Sequence, residues 1–120
     1  MAYVDGFLLP VPRRKLAHYR RLAATAWKVW ISHGALEYRE CVGDDAKSKF
    51  AEPMRKGVRL KTGETLVFSW IVYKSRRDRD RINKAVMNDP RILKMVDESK
   101  GVFDMKRMGM AGFKVFVEYT

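Results

Sequence analysis

A chain of 120 residues has room for one domain and not for two, so residues 1–120 are expected to fold as a single unit. Its 47% hydrophobic, 32% charged and 12% aromatic residues exclude a disordered chain. Its 25 Lys and Arg against 14 Asp and Glu leave +11 at pH 7, which raises a nucleic-acid partner before any motif is read.

The first expected element is a strand over about 3–9. Tyr3, Asp5, Phe7 and Leu9 share one face, Val4 and Leu8 the other, and Pro10 and Pro12 are expected to end it. A helix follows to about His33. Leu16, Tyr19, Ala23, Trp27 and Trp30 recur every three or four residues as its apolar stripe, and Gly34 suits a left-handed cap. The second strand spans about 36–42, with Leu36, Tyr38, Glu40 and Val42 on one face. Residues 43–63 lack periodicity and read as a long loop with room for a short strand near 58–60.

Thr65–Tyr73 (TLVFSWIVY) is the strongest strand signal. Ser75 with Asp78 three residues on forms a capping box opening a second helix to about Asn88. Asp89-Pro90 breaks that helix, a short one follows over 91–98, and a last strand is expected over 113–119. The order is β-α-β-β-α-β, an α+β ferredoxin-like fold with an antiparallel sheet and both helices on one face.

Two helices cover one face only. Yet TLVFSWIVY is apolar on both faces, with Leu66, Phe68, Trp70 and Val72 opposite Val67, Ile71 and Tyr73. A second copy of the sheet, packed face to face about a two-fold axis, would cover the remaining face, so a homodimer is expected. The competing expectation is a monomer whose 43–63 segment folds over it.

The one cysteine and two histidines exclude a disulfide scaffold and a zinc finger, and point to a reducing, cytoplasmic location. No apolar run approaches the roughly 20 residues of a membrane span, and no phosphate-binding glycine loop is present. No metal or cofactor is called for.

At this point the residues resemble a known family. The segments YVDGF, HGALEYRECVGDD (33–45), VFSWIVYKS (67–75), RDRIN (79–83), VMNDPR (86–91), FDMKRM (103–108) and GFKV (112–115) are together similar to the YbaA-like proteins. This is a bacterial family of unknown function, also termed domain of unknown function 1428. The resemblance covers essentially the whole chain and implies the dimeric α+β barrel superfamily. It implies no activity. Met105 and Ala111 depart from the family, where glycine is usual. Relatives on this fold include monooxygenases and small-ligand binders, an analogy that does not fix function.

Several residues are candidates for a site. Glu40, a carboxylate among apolar neighbours, suits acid–base work; its plain alternative is an ion pair with Arg79 or Arg107. His33 titrates near neutrality and suits a base or a ligand, or else it only complements the end of the first helix. Cys41 reads as a small buried hydrophobe. Asp104, Lys106 and Arg107 cluster in the loop before the last strand, where they could fix the sheet dimer or bind an anionic ligand, or else only serve the turn. Trp70, Tyr73, Trp27 and Trp30 could wall a cavity between sheet and helices.

The run 74–81, KSRRDRDR, offers Lys74, Arg76, Arg77, Arg79 and Arg81 to phosphates, although no RNA-binding aromatic motif accompanies it. The charge is spread evenly: residues 1–60 hold 12 basic and 6 acidic side chains, residues 61–120 hold 13 and 8. The expectation is therefore a homodimer that binds a small organic ligand, with conversion of that ligand left open. A basic nucleic-acid module and a purely structural dimer are the alternatives.

Overall fold

Four antiparallel strands form the frame of the computed structural model, which describes residues 1–119. They are β1 (Tyr3–Pro12), β2 (Glu37–Val42), β3 (Glu64–Tyr73) and β4 (Gly109–Lys114), in the spatial order β2-β3-β1-β4. The helices are α1 (Leu16–Ser32), α2 (Glu52–Gly57), α3 (Arg76–Met87) and α4 (Pro90–Glu98). This is the expected split β-α-β arrangement, with β1 and β3 central and paired over their full lengths. No helix of the described residues is long and apolar enough to cross a membrane.

Period two decides what each strand gives to each face. Tyr3, Asp5, Leu9 and Val11 of β1, with Val67, Ser69, Ile71 and Tyr73 of β3, face the helices and are buried. Two apolar clusters fill that side. One joins Ala26 and Val29 of α1, Ile82 and Val86 of α3 and Ile92 of α4 to Tyr3, Ile71 and Tyr73. The other joins Tyr19, Leu22 and Ala23 to Leu9, Val11, Val67 and Val102.

The prolines do not end β1. The Arg13 N–H donates to Gly63 O, so the odd-numbered N–H groups of β1 point toward β3 and the even ones toward β4. Pairing with β4 stops at Leu8. Pro10 and Pro12 therefore lack donors on a side with no strand to receive them, and β1 continues to Pro12.

The local signals elsewhere are met. Ser75 Oγ accepts from the Asp78 N–H at 3.1 Å, and an Asp89 carboxylate oxygen accepts from the Arg91 N–H at 2.9 Å, starting α3 and α4. Gly34 takes a φ of +115° after α1, a region that favours glycine.

Three further expectations need correction. The 43–63 segment holds no strand: Ser48 caps a 3-10 turn at Lys49–Ala51 that runs into α2. Arg55 ties this unit down by donating to Ala46 O at 2.8 Å and Ser48 O at 2.9 Å. The last strand is β4 at Gly109–Lys114 and not 113–119, because the ladder with β1 begins at Leu8↔Gly109. The buried stripe of α1 is Tyr19, Leu22, Ala23, Ala26 and Val29, rotated from the expected one so that Trp27 is 43% exposed.

The second sheet face is open. Phe68 and Phe113 are exposed there, and the rings of Phe68 and Trp70 lie 5.7 Å apart. The 43–63 segment does not cover them.

Candidate functional site

Glu40 lies on the helix-facing side of the edge strand β2, opposite Ser69 of β3. Its carboxylate meets no arginine among the described residues. Oε1 accepts from the Tyr19 hydroxyl at 2.8 Å, and Oε2 accepts from the Tyr38 hydroxyl at 2.7 Å. Tyr38 comes from the same strand face two residues earlier, and Tyr19 descends from the first turn of α1. An acid, one neighbour on a strand and one on a helix thus make a closed polar cluster.

Burial dominates its electrostatics. Desolvation raises the Glu40 pKa above its ordinary value, although the hydroxyls of Tyr38, Tyr19 and Ser69 work in the opposite sense. The tyrosines are pushed well above the usual phenol range, first by burial and then by the Glu40 charge. Both phenols therefore remain donors at neutral pH.

A half-open cavity of about 580 Å³ lies against this cluster. Leu16, Ala23 and Trp27 line it from α1, and Val42 and Val67 from the sheet, with Arg20 at the wall beside Tyr19. The lining is mainly apolar, with a few convergent polar groups, which is the make-up of a small-molecule site. Glu40 can accept a donor from a ligand there. With its raised pKa it can also carry a proton for one.

The other candidates lie elsewhere. His33 sits past the far end of α1, 14 residues after Tyr19 and so roughly 21 Å along the helix. Its Nε2 meets Asp89 Oδ2 at 2.9 Å, where Asp89 also caps α4 and pairs with Arg91. Trp70 pairs with Arg39 and Gly6 on the open face, away from Glu40. Period two already separates it from Tyr73, which is fully buried on the helix side. The Tyr73 hydroxyl and Trp30 Nε1 both donate to Asn83 Oδ1 at 3.1 Å. These two rings belong to the core, and of the four aromatics only Trp27 lines the Glu40 cavity. Cys41 is exposed and not buried, because β2 is an edge strand.

Arg107 and Asp104 form a closed cluster of their own. Arg107 donates from Nη1 and Nη2 to both carboxylate oxygens of Glu64, at 2.8 and 2.6 Å, and from Nε to Asp104 Oδ2 at 3.0 Å. Nη1 also donates to Arg59 O at 3.1 Å, so four of its five N–H groups are used within the chain, and its side chain is 7% exposed. These contacts hold the Glu64 and Asp104 carboxyls below their ordinary pKa values.

The basic run is divided. Arg79 turns inward, with Nε on buried Asp5 at 3.1 Å and its guanidinium 4.9 Å from the Tyr3 ring centre. Arg81 pairs with Asp78 at 2.7 Å. Lys74, Arg76 and Arg77 remain exposed. No group of three His, Cys, Asp or Glu placed to hold a metal occurs among the described residues.

Tyr19 and Tyr38 are the site residues that the sequence reading missed. Tyr38 was visible as the face-mate of Glu40, and Tyr19 as the first aromatic of the α1 stripe. Their meeting on one carboxylate needed the helix to be docked.

Comparison with known proteins agrees with this architecture. Residues 2–105 match the family described as "Protein of unknown function (DUF1428)". The chain is 40% identical over 118 residues to "Uncharacterized protein YbaA" of Escherichia coli (strain K12), covering 98% of this chain and 99% of that one. A NIPSNAP family protein with unknown function from Agrobacterium tumefaciens superposes with a TM-score of 0.64 at 12% identity, over 95% of this chain and 87% of that one. A putative antibiotic biosynthesis monooxygenase from Nitrosomonas europaea gives 0.61 at 13% identity, over 93% and 88%. At such identities the two structures establish the fold alone.

Proposed function

The chain belongs to the DUF1428 family, whose description assigns no activity, and from that premise we propose that it binds a small organic ligand in the cavity beside Glu40. One observation carries the reading: a desolvated carboxylate, held by two tyrosine hydroxyls, lies against an apolar hollow of about 580 Å³. A carboxylate needed only for folding is normally given a cation, as Arg107 is given to Glu64. Glu40 has none. The apolar wall favours a mostly apolar ligand, and Glu40 favours one that presents a hydrogen-bond donor. The likeness to a protein titled a putative antibiotic biosynthesis monooxygenase supports a small-molecule role on this fold.

The test is a ligand screen read by thermal shift on the parent chain and on Glu40→Gln. A ligand that binds only the folded form at 100 times its Kd adds about 2.7 kcal/mol of stability. The expected result is a compound that raises the melting temperature of the parent and has at least tenfold weaker affinity for Glu40→Gln. Equal affinity for both chains would remove Glu40 from the site.

The functional unit in this reading is a homodimer. Val4, Leu8, Phe68, Trp70, Val72 and Phe113 share the open sheet face, and a second copy of that face covers them. Sedimentation of the purified chain should give twice its 14.0 kDa mass, and Phe68→Asp should return it to monomer. A parent chain that sediments as a monomer at micromolar concentration overturns this.

A further inference from the structure

We propose that a second cavity, of about 410 Å³ on the β1–β4 side of the sheet, binds a small oxyanion of the phosphate-monoester class. Met1, Tyr3, Arg76, Gly112 and Lys114 line it. Tyr3 and Lys114 are cross-strand partners, and Gly112 faces Asp5 one step along the same ladder. Arg76 reaches the cavity from the first residue of α3.

Tyr3 carries the argument. The residue is 8% exposed, and its hydroxyl, which has no hydrogen-bond partner among the described residues, lies in the part that stays open to solvent. The ring is fixed from behind by the Arg79 guanidinium, whose own Nε and Nη1 are committed to Asp5 and Asp80. Gly112 makes this closure possible, since a Cβ there would overlap Tyr3 Oη and Arg79 Nη2. That hydroxyl is accessible and unpaired beside Gly112 on the cavity wall, so it is free to donate to a ligand atom there.

The charge around it has one sign. Arg76 and Lys114 have no carboxylate within ion-pair distance among the described residues, and no acidic side chain lines the cavity. The carboxylates of the adjoining strand and helix, Asp5 and Asp80, are both taken by Arg79. Two uncommitted cations and a phenolic donor match a phosphoryl group, which carries about −1.5 to −2 at pH 7 and three acceptor oxygens. Arginine offers a two-pronged contact and lysine a point charge.

Calorimetric titration of the full chain at constant ionic strength tests the proposal, with inorganic phosphate, phenyl phosphate and chloride as probes. Saturable binding of both phosphates at one site per chain is expected, with chloride giving none. Arg76→Gln combined with Lys114→Gln should weaken it by about tenfold or more. Tyr3→Phe should weaken it by about threefold, the scale of one neutral hydrogen bond. Glu40→Gln should leave it unchanged, which separates this site from the cavity beside Glu40. Phosphate heats no larger than those of chloride overturn the proposal. So does undiminished phosphate binding by the Arg76/Lys114 double variant, whose exposed positions do not bear on folding. A single-stranded oligonucleotide that binds parent and double variant alike, with phosphate binding neither, would assign the charge to diffuse attraction and overturn it as well.

Discussion

Two carboxylate clusters in this molecule have opposite construction. Glu64 and Asp104 share one guanidinium, are held ionised, and have their pKa values lowered by it. Glu40 shares two neutral hydroxyls, faces a hollow, and has its pKa raised by burial. The first arrangement satisfies every charge within the chain, which is what a structural tie requires. The second leaves a desolvated charge without a counter-ion, which folding alone gives no reason to keep. The same residue type thus serves as a fastener at the start of β3 and as a poised group on its neighbour β2.

Removing the shared cation is the severest way to break the contrast. Arg107→Ala leaves two carboxylates without their partner and should lower stability by about 2–3 kcal/mol in urea unfolding, a rim-placed version of breaking a buried pair. A loss below about 0.5 kcal/mol would mean that the cluster is not a tie. Lowered folded-state pKa values mean that its contribution is present above the ordinary carboxylate values and fades as pH falls.

The effect expected at Glu40 is smaller and of opposite sign. A raised folded-state pKa means that its contribution is fully present below about 4.5 and is lost as pH rises through the folded value. Glu40→Gln should therefore leave stability at pH 7 unchanged or raised, within about 1 kcal/mol. The advantage of the variant over the parent should shrink as pH is lowered toward 4. Paired urea titrations at pH 4, 5.5 and 7 read this directly. A clear destabilisation by Glu40→Gln at pH 7 would make both clusters structural and dissolve the contrast.

Local chemistry in the sequence carried most of the fold. The β-branched and aromatic run TLVFSWIVY, the Ser75 cap and the Asp89-Pro90 break each state a short-range geometry, and each was met. Pro10 and Pro12 misled because a proline ends a strand only where a partner needs its N–H, and that depends on how far β4 extends. The site was half legible. Tyr38 and Glu40 are two residues apart, so period two pairs them. Tyr19 reaches Glu40 across 21 residues, and Arg107 reaches Glu64 across 43. Such meetings depend on which face α1 covers and where the ladders end. Trp70 shows the same limit, since periodicity groups it with Phe68 but does not say which face the helices occupy.

β2 has a further consequence through its place at the margin of the sheet. It holds one ladder only, to β3, and most of its residues are partly or fully exposed. Local opening favours segments with few buried contacts and one-sided pairing. Tyr38 and Glu40 therefore ride on one of the two edge strands, while Asp5 and Tyr3 are anchored on a strand paired on both sides. The cavity beside Glu40 can widen by breathing of a single strand, with the central ladder left intact.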